Sequence, residues 1–186
     1  VMAARLVAAG WPEDWVVRFE AADASWGCNV DNAAAIDALI DDVRERTCQG
    51  KVDVVAHSMG TLSSRYYLKH LGGTAVVNTY VTLGGMHHGL LSPCFAPGFL
   101  GVCVWTELCA IGAFITDLNA APATPGPTHW LSIYGTADET VSNDSSHLEG
   151  ADNIIIDGAE HDGPNGLLQR EDAFAEVQRA LGDPCW

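Results

Sequence analysis

The chain has 186 residues, 48% of them hydrophobic, with 24 acidic against 9 basic residues and a formal net charge of −15. That length suits one domain with its own core, and that apolar content excludes a disordered chain despite the charge. Such an acidic surface repels nucleic-acid phosphates and anionic membranes, and it argues against anionic substrates.

The charge is unevenly spread. Residues 70–137 contain only Glu107 and Asp117, whereas residues 138–186 hold twelve acids and two bases. The six cysteines are Cys28, Cys48, Cys94, Cys103, Cys109 and Cys185. Their even number, without a CxxC pair or zinc-finger spacing, points to disulfides and an oxidising, extracellular compartment. The pairings expected are Cys28–Cys48 and one bond within the 94–109 cluster. No metal-ligand spacing is present, so no metal is expected. The longest apolar stretch, 94–116, contains Pro97, Glu107 and three glycines. That is poor material for a spanning helix, and no stable membrane insertion is expected.

Residues 2–9 read as a short helix ended by Gly10. Residues 15–19 (WVVRF) read as a strand. Over 31–46, Ala35, Leu39 and Val43 recur every four residues with Ile36 and Ile40 beside them, the pattern of an amphipathic helix. Residues 51–56 (KVDVVA) form a buried strand, 58–71 a helix closed by Gly72-Gly73, and 74–83 a second strand. Residues 85–127 are irregular, with one helix near 111–118. Strands follow at 130–134 and 153–156, and a closing helix at 171–181. This alternation predicts an α/β fold: one domain over 1–186, with a mostly parallel sheet flanked by helices. Sites in such sheets lie just beyond the carboxyl ends of the strands.

Just past the strand at 51–56 comes Ala56-His57-Ser58-Met59-Gly60, and then a helix. This is a nucleophile-elbow pattern with Ala for the first Gly. The serine needs a sharp, strained turn to project its hydroxyl, and small residues on both sides let strand and helix approach. Its alternative role is a simple helix cap. The N–H of Met59, at the helix N-terminus, is the expected oxyanion donor. After 130–134 comes Asp138, placed to orient a histidine. After 153–156 comes His161, in a short loop before the last helix. The order Ser58, Asp138, His161 is that of the α/β-hydrolases. His147, in a polar loop with no strand before it, is the rival base.

These residues together resemble the small secreted bacterial lipases of the α/β-hydrolase superfamily, of the Bacillus minimal type and the actinobacterial class 2 triacylglycerol type. The similar stretches are 51–60, 62–75, 81–89, 131–141 and the His161 loop running into 166–168. The resemblance implies Ser58 as nucleophile, Asp138 as acid, His161 as base and Met59 as one oxyanion donor, with no cofactor. It also implies a strand before the 15–19 run that carries a second oxyanion donor. The chain lacks that strand, so residues preceding Val1 are expected in the natural protein.

Residues 85–127 are expected to form a pocket wall or lid, because apolar side chains crowd there and charges are scarce. Phe95, Phe99, Leu100 and Trp105, with His57 next to the nucleophile and Met86 after the second long strand, are the candidate substrate contacts. The function expected is a secreted, monomeric serine hydrolase of carboxylic esters, lipase or esterase, acting on a lipid or small-molecule ester. A cutinase-like polyesterase is the alternative chemistry. A non-catalytic hydrolase-fold binding protein, or an inactive truncated fragment, is the alternative of another class.

Overall fold

The valine-rich run before Ser58 forms strand β1, Val52–His57, in a computed structural model that describes residues 1–21, 27–95 and 102–182. β1 pairs in parallel with β2, Val77–Leu83, which pairs with β3, His129–Gly135, and that with β4, Asp152–Ile156. The sheet is therefore four parallel strands in sequential order, β1-β2-β3-β4. The second strand starts three residues later than its composition suggests. Gly72, at φ 85°, ends the preceding helix, and a single 3-10 turn takes Gly73–Ala75.

Side chains alternate across the sheet, as the two-residue period of a strand requires. Tyr80 and Trp130 join one apolar cluster, Val81 and Leu131 another. The first face is covered by α2, Asn29–Thr47, and α3, Gly60–His70. The second is covered by α7, Glu171–Leu181, with α1, Met2–Ala8, at its margin. Between β2 and β3 lie α4, Cys103–Leu108, and α5, Ala113–Asn119; α6, Asn143–Ser146, precedes β4. A third cluster, Leu62, Met86, Leu108, Ile115, Leu118 and Val141, fills the space between α3, α4 and α5.

Three expectations are corrected here. The 15–19 run is not a strand. Glu13–Trp15 makes one 3-10 turn, and Val17 and Phe19 beyond it are 39% and 37% exposed. An alternating pattern becomes a strand only where a ladder partner exists, and among the described residues β1 pairs with β2 alone. The buried stripe of α2 is Ala33, Ile36 and Ile40, while Ala35 is exposed and Leu39 and Val43 are only partly covered. The Cys28–Cys48 bond is also overturned. Cys28 caps the start of α2 and Cys48 its end. A rigid helix of this length holds its ends roughly 30 Å apart, far beyond disulfide reach. Cys28 bonds Cys103 instead, and Cys48 is free. The bond expected within the 94–109 cluster is Cys94–Cys109. Cys185 lies outside the described residues.

Two cations on α3 tie down the segment after β2. Arg65 is 1% exposed, and burial lowers its pKa to about 10. Its guanidinium donates to the carbonyls of His87, Leu118 and Ala123 and to Asn119 Oδ1. One turn on, Lys69 donates to the carbonyls of Asp117 and Leu118. Both charges meet the carbonyl end of α5, where the helix dipole favours them. Arg65→Met should lower the unfolding free energy by about 3 kcal/mol, because it strands several buried acceptors. Urea denaturation measures this, and a loss below about 1 kcal/mol would show that the carbonyls find other donors.

Candidate active site

β1 ends at His57, and the chain turns at once into α3. Ser58 occupies the turn with φ 53°, a left-handed conformation that a side chain adopts only under constraint. Two contacts hold it there. Its N–H donates to Leu83 O (3.0 Å), at the end of the neighbouring strand. Its carbonyl accepts from the Thr61 hydroxyl (2.6 Å), and Thr61 Oγ1 in turn accepts the N–H of Met86 (3.1 Å). Thr61 thus braces the elbow against the loop after β2. Met59 lies at the N-cap of α3, where N–H groups have no intrahelical acceptor.

Asp138 follows β3. Its side chain is 0% exposed. Oδ1 accepts the N–H groups of Thr140 (2.9 Å) and Val141 (2.7 Å), and Oδ2 lies 2.7 Å from His161 Nδ1. His161 is 2% exposed. Its Nε2 lies 2.8 Å from Ser58 Oγ. The histidine loop is closed on itself by Glu160 N–H to Asn165 O and Leu167 N–H to Glu160 O. Three residues 80 and 23 positions apart in the chain therefore form one hydrogen-bonded line.

Two glycines make room for that line. A Cβ on Gly84, at φ 53°, would lie 2.9 Å from His161 Nδ1 and 3.0 Å from Cε1. A Cβ on Gly135 would run into the carbonyl of Ala159. The clearance was not read from sequence, although each glycine directly follows or ends a strand, the place where such a close approach is needed. Thr61 was missed as well, and it carries no sequence signal beyond its position three residues after the serine.

The other candidates separate. The His57 ring lies 4.9 Å from that of His161, centroid to centroid. Met59 and Trp105 pack against the third apolar cluster, and Met86 is buried within it. Phe95 stands 74% exposed. Phe99 and Leu100 lie outside the described residues. His147, the rival base, faces Tyr134 Oη at 3.5 Å. His87 is fully buried against Thr82 Oγ1 (3.1 Å), and burial pushes its pKa well below the usual histidine range. A groove of about 600 Å³ runs beside the acid loop, bordered by His88, Leu90, Leu91, Ala110, Glu139 and Asp144. Neither Ser58 nor His161 is in its wall.

Among the described residues one group has metal-ligand proximity: Cys28, Cys103 and Glu107. Its sulfurs are joined in the disulfide. The Glu107 carboxylate, 8% exposed, accepts the N–H of Asn29 at the start of α2 (2.5 Å), so it acts as a helix-terminal anion linking α4 to α2.

Solved structures share this fold. Lipase B of Aspergillus fumigatus superposes with a TM-score of 0.69 at 19% identity, over 86% of this chain and 43% of that one. Phospholipase PlaB of Legionella pneumophila gives 0.71 at 14% identity, over 89% and 50%. The mature Bacillus licheniformis lipase BlEst2 gives 0.63 at 18%, over 83% and 74%. The chain thus spans half or less of the first two and about three quarters of the third. These likenesses establish the α/β-hydrolase fold. The family model for class 2 lipases matches residues 14–180, a stretch that contains the elbow, the buried acid and the histidine loop, and by that match the chain belongs to the class 2 lipases.

Proposed function

We propose that this protein is a secreted serine hydrolase of carboxylic esters, a lipase or esterase formed by a single domain over residues 1–186. The observation that carries the reading is the hydrogen-bonded line Asp138–His161–Ser58, with 2.7 and 2.8 Å links. In the proposed reaction Ser58 Oγ attacks the ester carbonyl while His161 Nε2 takes its proton. The N–H of Met59 faces the developing oxyanion. The imidazolium then protonates the departing alkoxide. Water, deprotonated by His161, cleaves the acyl-enzyme and releases the carboxylic acid. Asp138 Oδ2 holds the imidazole through Nδ1 throughout. The two disulfides support an oxidising compartment, and no described helix is long and apolar enough to cross a membrane.

A fluorophosphonate probe tests the core of this reading. Wild type should be labelled covalently, and Ser58→Ala should not. An unlabelled wild-type protein would sink the enzyme reading and favour a binding protein on a hydrolase fold.

The substrate side has its own support. Leu91, Phe95 and Ile111 are 60%, 74% and 69% exposed. All three adjoin the Cys94–Cys109 bond and the Leu90–Cys109 bridge, which hold them in place. Glu107 nearby is buried, and Asp117 is paired with His70. These exposed apolar side chains adjoin a groove that also carries the exposed acids Glu139 and Asp144, a surface suited to neutral rather than anionic ester. Replacing all three residues by Ser should lower the rate on an emulsified triglyceride about tenfold, by weakening adsorption, and leave a soluble nitrophenyl ester unaffected. Equal losses on both would assign these side chains to the fold or the acyl site.

A further inference from the structure

His57, an expected substrate contact, also lies against His161. It is the last residue of β1 and the immediate neighbour of Ser58. Its ring lies 4.9 Å from the His161 ring, centroid to centroid, at an interplanar angle of 35°. His57 thus meets His161 ring to ring. Its Nε2 is buried and has no hydrogen-bond partner.

We propose that His57 is a positioning residue, which holds His161 between Asp138 and Ser58 and must stay uncharged while His161 carries the proton of Ser58. The inference rests on the hydrolase reading above and adds a residue to it. The charge argument is direct. Acyl transfer turns His161 into a cation, and a second cation one ring away in a buried site would oppose it. The neighbours set the balance. Burial lowers the His57 pKa most, and His161 lowers it further. The nearby charges of Asp162 and Asp138 pull the other way. The net shift is downward, so His57 is neutral near neutral pH. It gains a proton only as the pH falls through that lowered value. The orphaned Nε2 fits the same requirement. A nitrogen with no acceptor beside it gives a proton no favourable place to sit.

The geometric part predicts a loss in kcat rather than in binding. A base displaced by a fraction of an ångström loses alignment with Ser58 Oγ, whereas substrate contacts are untouched.

The test uses the full chain and a soluble nitrophenyl ester. His57→Ala should lower kcat about tenfold or more with KM within about twofold. His57→Phe restores a ring of similar size without a titratable group, and should recover kcat to within about threefold. The pH profile separates this role from plain packing. The wild-type acid limb should steepen at low pH as a second proton inactivates the site, and that of His57→Phe should stay a single-proton limb. A His57→Ala kcat within about twofold of wild type would overturn the positioning role. Identical acid limbs in wild type and His57→Phe would overturn the charge requirement. Where His57→Ala fails to fold, by near-ultraviolet circular dichroism, the His57→Phe profile decides alone. Failure of the hydrolase reading shows itself separately, as ester turnover that survives in Ser58→Ala.

Discussion

Asp138→Asn should lower kcat on a soluble ester about 10⁴-fold while the protein remains folded. The structure dictates how the new amide would sit. Oδ1 of Asp138 accepts two backbone N–H groups, from Thr140 and Val141. Only an oxygen satisfies both, so the amide nitrogen must face His161 Nδ1. An N–H pointing at Nδ1 forces the histidine proton onto Nε2. That nitrogen then meets Ser58 Oγ as a donor and can no longer take the serine proton. The loss also includes the carboxylate charge beside the imidazolium. Steady-state kinetics with a thermal-unfolding control measures the effect. A drop of less than about tenfold would mean that Asp138 orients nothing of consequence, and would reopen the assignment of the acid.

The second large effect concerns the fold. Removing the Cys28–Cys103 bond by a double Cys→Ser change should cost about 4.5 kcal/mol, against about 3 kcal/mol for Cys94–Cys109. The difference follows from chain entropy, since the first bond closes a separation of 75 residues and the second one of 15. For a chain of this size the larger loss is roughly 10–15 °C in Tm. Thermal unfolding of the two double variants, side by side, gives the order. The reverse order would show that the long bond is slack in the unfolded state or opposed in the folded one. The same bond joins the N-cap of α2 to the first residue of α4, and Glu107 reaches from α4 to the first N–H of α2. α4 and α2 are therefore linked covalently and by a buried carboxylate at one point.

Much of this was legible beforehand where one short segment carries the whole signal. The valine run, the small residues around Ser58 and the Gly72-Gly73 stop of the next helix all lie in one stretch, 51–73. They place strand, turn and helix without help from the rest of the chain. α7 occupies Glu171–Leu181, the span its periodicity predicts. The order of the acid and the histidine, each just past a strand, follows from the α/β alternation.

What failed had its cause elsewhere in the fold. Residues 15–19 have the composition of a strand, but a strand exists only through a neighbour's N–H and C=O groups, and none of the described residues offers them there. The cysteine pairing failed because Cys103 comes from α4, a helix hidden in a glycine- and proline-rich segment. The long helix α2 between Cys28 and Cys48 keeps those two apart. In α2 the repeat was correct, but its buried side is chosen by α3 and the sheet.

The site divides the same way. Sequence by itself determined the fold class, the elbow at Ser58 and the identities of an acid and a base in hydrolase order. Those depend on hydrophobic period and on residue type, which are local properties. Only the tertiary structure decided that Asp138, His161 and Ser58 meet within hydrogen-bond distance. It alone decided that Gly84 clears space for the imidazole and that Thr61 braces the turn. It also brought the His57 ring against that of His161. Those contacts join residues far apart in the chain, and their distances depend on how four strands pack side by side rather than on any single segment.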